Sequence, residues 1–168
     1  MRIISVLVLL LLSGCGYHTP GASDTWVGGE ARTLYVQLFD NQTIEPYLEN
    51  YITDALIAEL AVSRLFELTE NPDKADVRLA GNVKTFTDSA VSYGNSDQIT
   101  EYSATMAVAV RLLDKNNSDI IWQKSLTRSE DYLATINKNL QLEGQRLAAI
   151  RVSQRLAEDI YASMLNSF

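Results

Sequence analysis

Between Val77 and Leu112 apolar side chains return at every second position, and this period of two constrains the fold more than any other feature of the chain. Val77, Leu79, Gly81 and Val83 alternate with Arg78, Ala80, Asn82 and Lys84, and the run continues towards Thr87. Tyr102, Ala104, Met106, Val108, Val110 and Leu112 repeat the pattern over a longer stretch. Successive side chains of a strand point to opposite faces, so each run predicts a strand with one face in a core and the other in water. Tyr93-Gly94-Asn95-Ser96-Asp97 separates the two runs as a turn, and Lys115-Asn116-Asn117-Ser118 has the asparagine content of a tight hairpin loop. Ile120 to Leu126 then returns as a further strand, which makes the three a meander.

A sheet with one dry face needs a second layer, and the flanking segments supply it with a helical period. Leu48, Ile52, Ala55, Leu56 and Leu60 recur at spacings of three and four behind Pro46, predicting a helix from about Pro46 to Arg64. Ala149, Val152, Leu156, Ile160 and Met164 form one stripe of a longer helix from about Leu140 to Leu165. Arg151, Arg155, Glu158 and Asp159 line its other side, with Arg155 in helical reach of both acids. Ahead of the first helix, Thr33 to Phe39 reads as a strand with Leu34, Val36 and Leu38 on one face, closed by the turn Asp40-Asn41-Gln42-Thr43. Phe66-Glu67-Leu68 is compatible with a short strand. The order β-α-β-β-β-α predicts an α+β two-layer sandwich, two helices on one face of a four-stranded, mostly antiparallel sheet. Two helices with one sheet to cover leave no long heptad seam. The domain from Ala31 onward is therefore expected to fold as a monomer at low concentration.

The N-terminus has a different character. Ile3 to Leu12 is apolar apart from Ser5, and ten helical residues rise about 15 Å, half of a bilayer's hydrocarbon core. That length suits a signal-peptide core better than a membrane span. Leu12-Ser13-Gly14-Cys15 resembles the lipobox of bacterial lipoproteins, which implies a signal peptide over residues 1–14 and acylation of Cys15 as the new N-terminus. Gly16, where an aspartate would resemble an inner-membrane retention signal, favours the outer membrane. Residues 15–30 then form the lipidated cysteine and a glycine-containing tether, and residues 31–168 the periplasmic domain. His18 and Trp26 fall in the tether, the first read as a linker residue and the second as a cover for the core edge or a membrane or partner contact.

Charge and residue usage narrow the chemistry. With 14 basic and 21 acidic side chains the net charge is −7, so no basic stripe exists for counterion release from a nucleic acid. One cysteine and one histidine exclude a disulfide framework or a zinc finger. No G-x-S-x-G, phosphate-binding glycine loop or H-E-x-x-H is present. Asp73, Asp76, Glu130 and Asp131 could pair as carboxylates, yet acids beside turns in an acidic chain read as solvated surface. Trp122 and Met106 read as core, and Lys138 as a loop lysine. No catalytic, metal or cofactor residue is expected beyond the covalent lipid on Cys15.

The lipobox followed by Gly16-Tyr17-His18, the strand Leu34 to Phe39 leading into Asn41-x-Thr43, then Ala75-Asp76-Val77-x-Leu79-x-Gly81 and the closing Ala-rich helix together resemble the lipopolysaccharide-assembly lipoproteins of the LptE type. The resemblance implies a two-helix, four-strand sandwich and a non-enzymatic role. It also implies a seat as a plug inside the outer-membrane β-barrel translocon (LptD-type) that inserts lipopolysaccharide, whose assembly such proteins assist. Members of the family meet lipopolysaccharide phosphates with basic side chains near a strand apex. This chain has no Lys or Arg between Lys84 and Arg111, so the candidate contacts lie elsewhere, at Lys115, Lys124, Arg128 and Lys138. The alternative from another class is a lipoprotein regulator of a peptidoglycan synthase. A tether of about fourteen residues reaches at most about 50 Å, short for that role.

Overall fold

The computed structural model describes residues 33–63, 66–115 and 119–167; the signal segment, Cys15, His18 and Trp26 lie outside them. The elements run β1 (Thr33–Val36), β2 (Asp40–Asn41), α1 (Leu48–Ser63), β3 (Glu67–Leu68), a 3-10 turn (Pro72–Lys74), β4 (Val77–Tyr93), β5 (Ile99–Asp114), β6 (Ile120–Leu133) and α2 (Lys138–Leu165). The sheet has six strands, not four. Its order is β3-β1-β4-β5-β6, with β2 also paired to β4. It is mixed rather than mostly antiparallel: β4, β5 and β6 form the expected meander, while β1 is parallel to both β3 and β4, and β2 is parallel to β4. The reason is the α1 crossover, which returns the chain to the end of the sheet where β1 began, so the strands that flank it can pair only in parallel.

The expected first strand divides in two. β1 stops at Val36, and Phe39 turns its ring into the core before β2 resumes beside Asn82 and Val83. Thr53 fixes this corner, since its buried hydroxyl accepts from the Phe39 amide at 3.1 Å and donates to the Glu49 carbonyl at 2.6 Å. α1 starts two residues after Pro46 because Tyr47 is left-handed, with φ 68°. α2 starts at Lys138, where the Asn137 side chain accepts from the amides of Asn139 and Leu140.

One face of the sheet carries both helices. Leu34, Val77, Leu79, Val83, Met106, Val108, Val110 and Leu112 are buried against Leu48, Ile52, Leu56 and Leu60 of α1 and Val152, Leu156, Ile160 and Met164 of α2. Fully burying one such side chain contributes about 1.5–3 kcal/mol, so this cluster holds the layers together. Hairpin β4-β5 runs well past it to the turn at Gly94–Gln98, closed by the Gly94 amide to the Gln98 carbonyl at 2.8 Å. That end is termed the apex, and the end holding Thr33, Val77 and Ile120 the base. The strand alternation is interrupted at Val83/Thr85 and again near Ala90 to Tyr93, where bulges restore the face and bend the hairpin.

Candidate functional site

The short motifs behind the family resemblance are structural pins. Asp76 accepts from the Thr33 amide at 3.0 Å and the Thr33 hydroxyl at 2.7 Å, stapling the start of β1 to the start of β4. Asn41 donates to the Glu45 carbonyl and to Glu49 and accepts from Thr43, which sets the loop into α1. Gly81 lies under Phe39, where a Cβ would stand 2.2 Å from the ring. Ala75, Val77 and Leu79 are buried around these contacts. The acids considered as pairs separate likewise: Asp73 lies in the 3-10 turn, Asp131 is exposed on β6, and Glu130 is held by arginines.

The four candidate cations do not gather at one place. Lys115 follows β5 at the base and Lys138 opens α2 near the apex, both exposed. Lys124 and Arg128 are brought together, because even-numbered residues of β6 face the helices and α2 runs antiparallel along that strand. Trp122 donates to the Ser167 hydroxyl at 3.1 Å, Lys124 to the Ser163 hydroxyl at 2.6 Å, and Arg128 binds Asp159 through Nε and Nη2. Further up, Arg151 Nε reaches Glu130 at 2.8 Å and Arg155 reaches its other oxygen at 2.9 Å. Helical spacing puts Arg155 within reach of Glu158 and Asp159 on its own helix. It bonds across to β6 instead, since the strand offers Glu130, only 13 % exposed, while Asp159 is taken by Arg128.

The result is a basic ridge along β6 and α2. Lys124, Arg128, Arg151 and Arg155 face the two carboxylates of Glu130 and Asp159, an excess of two positive charges in an acidic protein. Hydrogen bonds and the charge of Arg128 hold the Asp159 carboxyl below its ordinary value against partial burial, and raise the guanidinium in turn. Arg151 and Arg155 remain 43 % and 57 % exposed, so each keeps donors for an external anion. Sequence reasoning missed these two as partners of Lys124 and Arg128. Their i, i+4 spacing was the available signal, for it puts both on one side of α2.

Above the ridge, Tyr132 donates to Asp88 at 2.5 Å, accepts from Gln141 at 3.3 Å and stacks on Tyr102 with ring centroids 5.7 Å apart. Burial first, and then the bond to Asp88, push this phenol well above its usual range. It is a neutral anchor between β6, β4 and the first turn of α2. Among the described residues no group of His, Cys, Asp and Glu could hold a metal ion, and no helix is long and apolar enough to cross a membrane.

Against known families, residues 31–164 match the model of LptE, lipopolysaccharide-assembly. The chain belongs to the LptE family. Its members are non-enzymatic lipoproteins. No curated protein sequence matches the chain. Among solved structures, a lipoprotein from Caulobacter crescentus aligns at 16 % identity over 76 % of this chain and 88 % of its own, with a TM-score of 0.56. The rare lipoprotein B of Shewanella oneidensis aligns at 12 % identity over 81 % and 96 %, with a TM-score of 0.54. A hypothetical protein from Chlamydia trachomatis gives 13 % identity, 80 % and 96 % coverage, and a TM-score of 0.56. At these identities the likeness to the three is one of fold.

Proposed function

We propose that this chain is an outer-membrane lipoprotein, acylated at Cys15, that plugs and helps to assemble the LptD-type β-barrel translocon and so contributes to inserting lipopolysaccharide at the cell surface. The observation that carries the reading is the family match over residues 31–164, on a domain in which Asp76 pins β1 to β4 and Glu130 is held by arginines. The lipobox and short tether agree with an anchor in the same membrane as the barrel. Affinity purification from solubilised outer membranes should recover a large barrel, and loss of the protein should deplete correctly assembled barrel. Recovery of a cell-wall synthase and no barrel would instead favour the regulator of peptidoglycan synthesis.

Within that reading, lipopolysaccharide phosphates meet the ridge of Lys124, Arg128, Arg151 and Arg155, with Lys115 and Lys138 as ordinary solvated charges. A charged hydrogen bond of this kind contributes roughly 1.5–3 kcal/mol. Binding of purified lipopolysaccharide should weaken about tenfold in Lys124→Ala or Arg155→Ala and fall with added salt, while Lys115→Ala and Lys138→Ala leave it unchanged. Binding indifferent to salt and to the ridge variants would remove the phosphate contacts and leave the plug role standing.

A further inference from the structure

The side of α2 away from the ridge carries the opposite charge. β4 and β6 both run from base to apex, α1 returns from β2 towards β3, and α2 is antiparallel to β6, so the two helices point the same way. Between their outer surfaces lies a groove of about 560 Å³. Tyr51, Ala55, Ala58 and Val62 of α1 and Ile150 of α2 are its apolar lining. Asp54, Glu59 and Glu158 stand along the rim, and no Lys or Arg is among the described residues that line it. None of these three carboxylates is ion-paired within the described residues. Arg146, one turn before Ile150 on α2, is paired with Glu143.

We propose that this groove docks a basic amphipathic helix of a partner protein, with apolar side chains over Ala55 and Ala58 and Lys or Arg beside Asp54, Glu59 and Glu158. The length fits: from Tyr51 to Val62 α1 advances roughly 16 Å, the rise of three turns. The small side chains at Ala55 and Ala58 let a third backbone approach, and Val62 stands 81 % exposed at the open end. Charge decides between occupants. Residues 16–32 of this chain, with Asp24 and Glu30 against Arg32, carry a net charge of −1 and do not complement the rim, and an anionic lipid surface would be repelled by it.

The test places a benzophenone side chain at Gln154 on the rim of the full chain in detergent solution, or at Thr127 on the opposite layer as a reference. The probe is a synthetic three-turn peptide of Leu and Lys at helical spacing, compared with the same peptide carrying Glu for Lys. Crosslinking at Gln154 should exceed that at Thr127 and that of the Glu peptide by about tenfold, and should fall with salt. Ala58→Trp, which fills the groove at unchanged charge, and Asp54→Lys with Glu59→Lys should each abolish the excess, with circular dichroism confirming the fold. Equal labelling at both positions, or labelling that survives either variant, overturns the proposal. An adduct between two copies of the chain without peptide overturns it in favour of self-association.

Discussion

The base and the apex of this domain share the same three strands yet are held together differently. At the base, β1 and β2 pair with β4, β3 extends the sheet beyond β1, and both helices cover it, so more than twenty apolar side chains form one buried cluster. Towards the apex the buried set shrinks to Ala104, Tyr132 and Ala148, with Phe86 and Tyr102 beside them. Val91, Tyr93, Leu133 and Ile136 there face solvent, the last fully so. The base is stable by area removed from water, and the apex by cross-strand pairing and the Tyr132 contacts. Long strands can therefore outrun their core, provided one aromatic anchor ties them to the helix layer.

The comparison is most easily broken at Gly81. A valine there would drive its side chain into Phe39, which is 2 % exposed and has nowhere to move. Gly81→Val should cost about 3 kcal/mol in urea denaturation and lower protection from hydrogen exchange throughout the chain. Phe39→Ala in the same molecule should recover part of that loss, because the two substitutions act on one space.

Gly144 is the corresponding contact at the apex, where a Cβ would stand 2.9 Å from the Tyr132 ring. Gly144→Val should cost about 2 kcal/mol, with exchange rising in residues 84–90 and 128–133 while the base stays protected. If the loss spreads equally over both halves, they are one cooperative unit and the distinction between them fails.

The smallest effect is expected at the border, in the Arg128 pair. Arg128 holds the folded-state carboxyl of Asp159 below its ordinary value of 3.8, so the pair stabilises the fold above that pH and ceases to do so as the pH falls through the lower folded value. Wild type should be only slightly more stable than Asp159→Asn near pH 6, since Arg128 is half exposed, and the gap should close as the pH falls through the lowered folded value of Asp159. A gap that widens in acid would show that another group, not Asp159, is titrating.

Much of this architecture was legible in the residues. The period of two located β4 and β5, the asparagine-rich loop placed β6 after them, and the spacing of Leu48, Ile52, Leu56 and Leu60 located α1, because local residue type and side-chain direction set those patterns. The apical strand ends were less visible: β4 reaches Tyr93 and β6 reaches Leu133, through segments of Ser, Thr and acidic residues with little apolar alternation. β2 and β3, two residues each, carry no period at all. Of the candidate cations, Lys124 and Arg128 lie on the ridge, and the sequence held no distance that could separate them from Lys115 and Lys138.

What the sequence by itself determined is the family, the two helical stripes and the meander, since each follows from residue type and spacing along the chain. Only the tertiary structure decided that the sheet is mixed, that Arg151 and Arg155 join Glu130 across 21 and 25 residues, and that α2 carries cations on one flank and part of an acidic groove on the other. Those outcomes depend on the direction in which α1 crosses and on how α2 lies along β6. Such contacts join residues distant in the chain, and no local period encodes which of them meet.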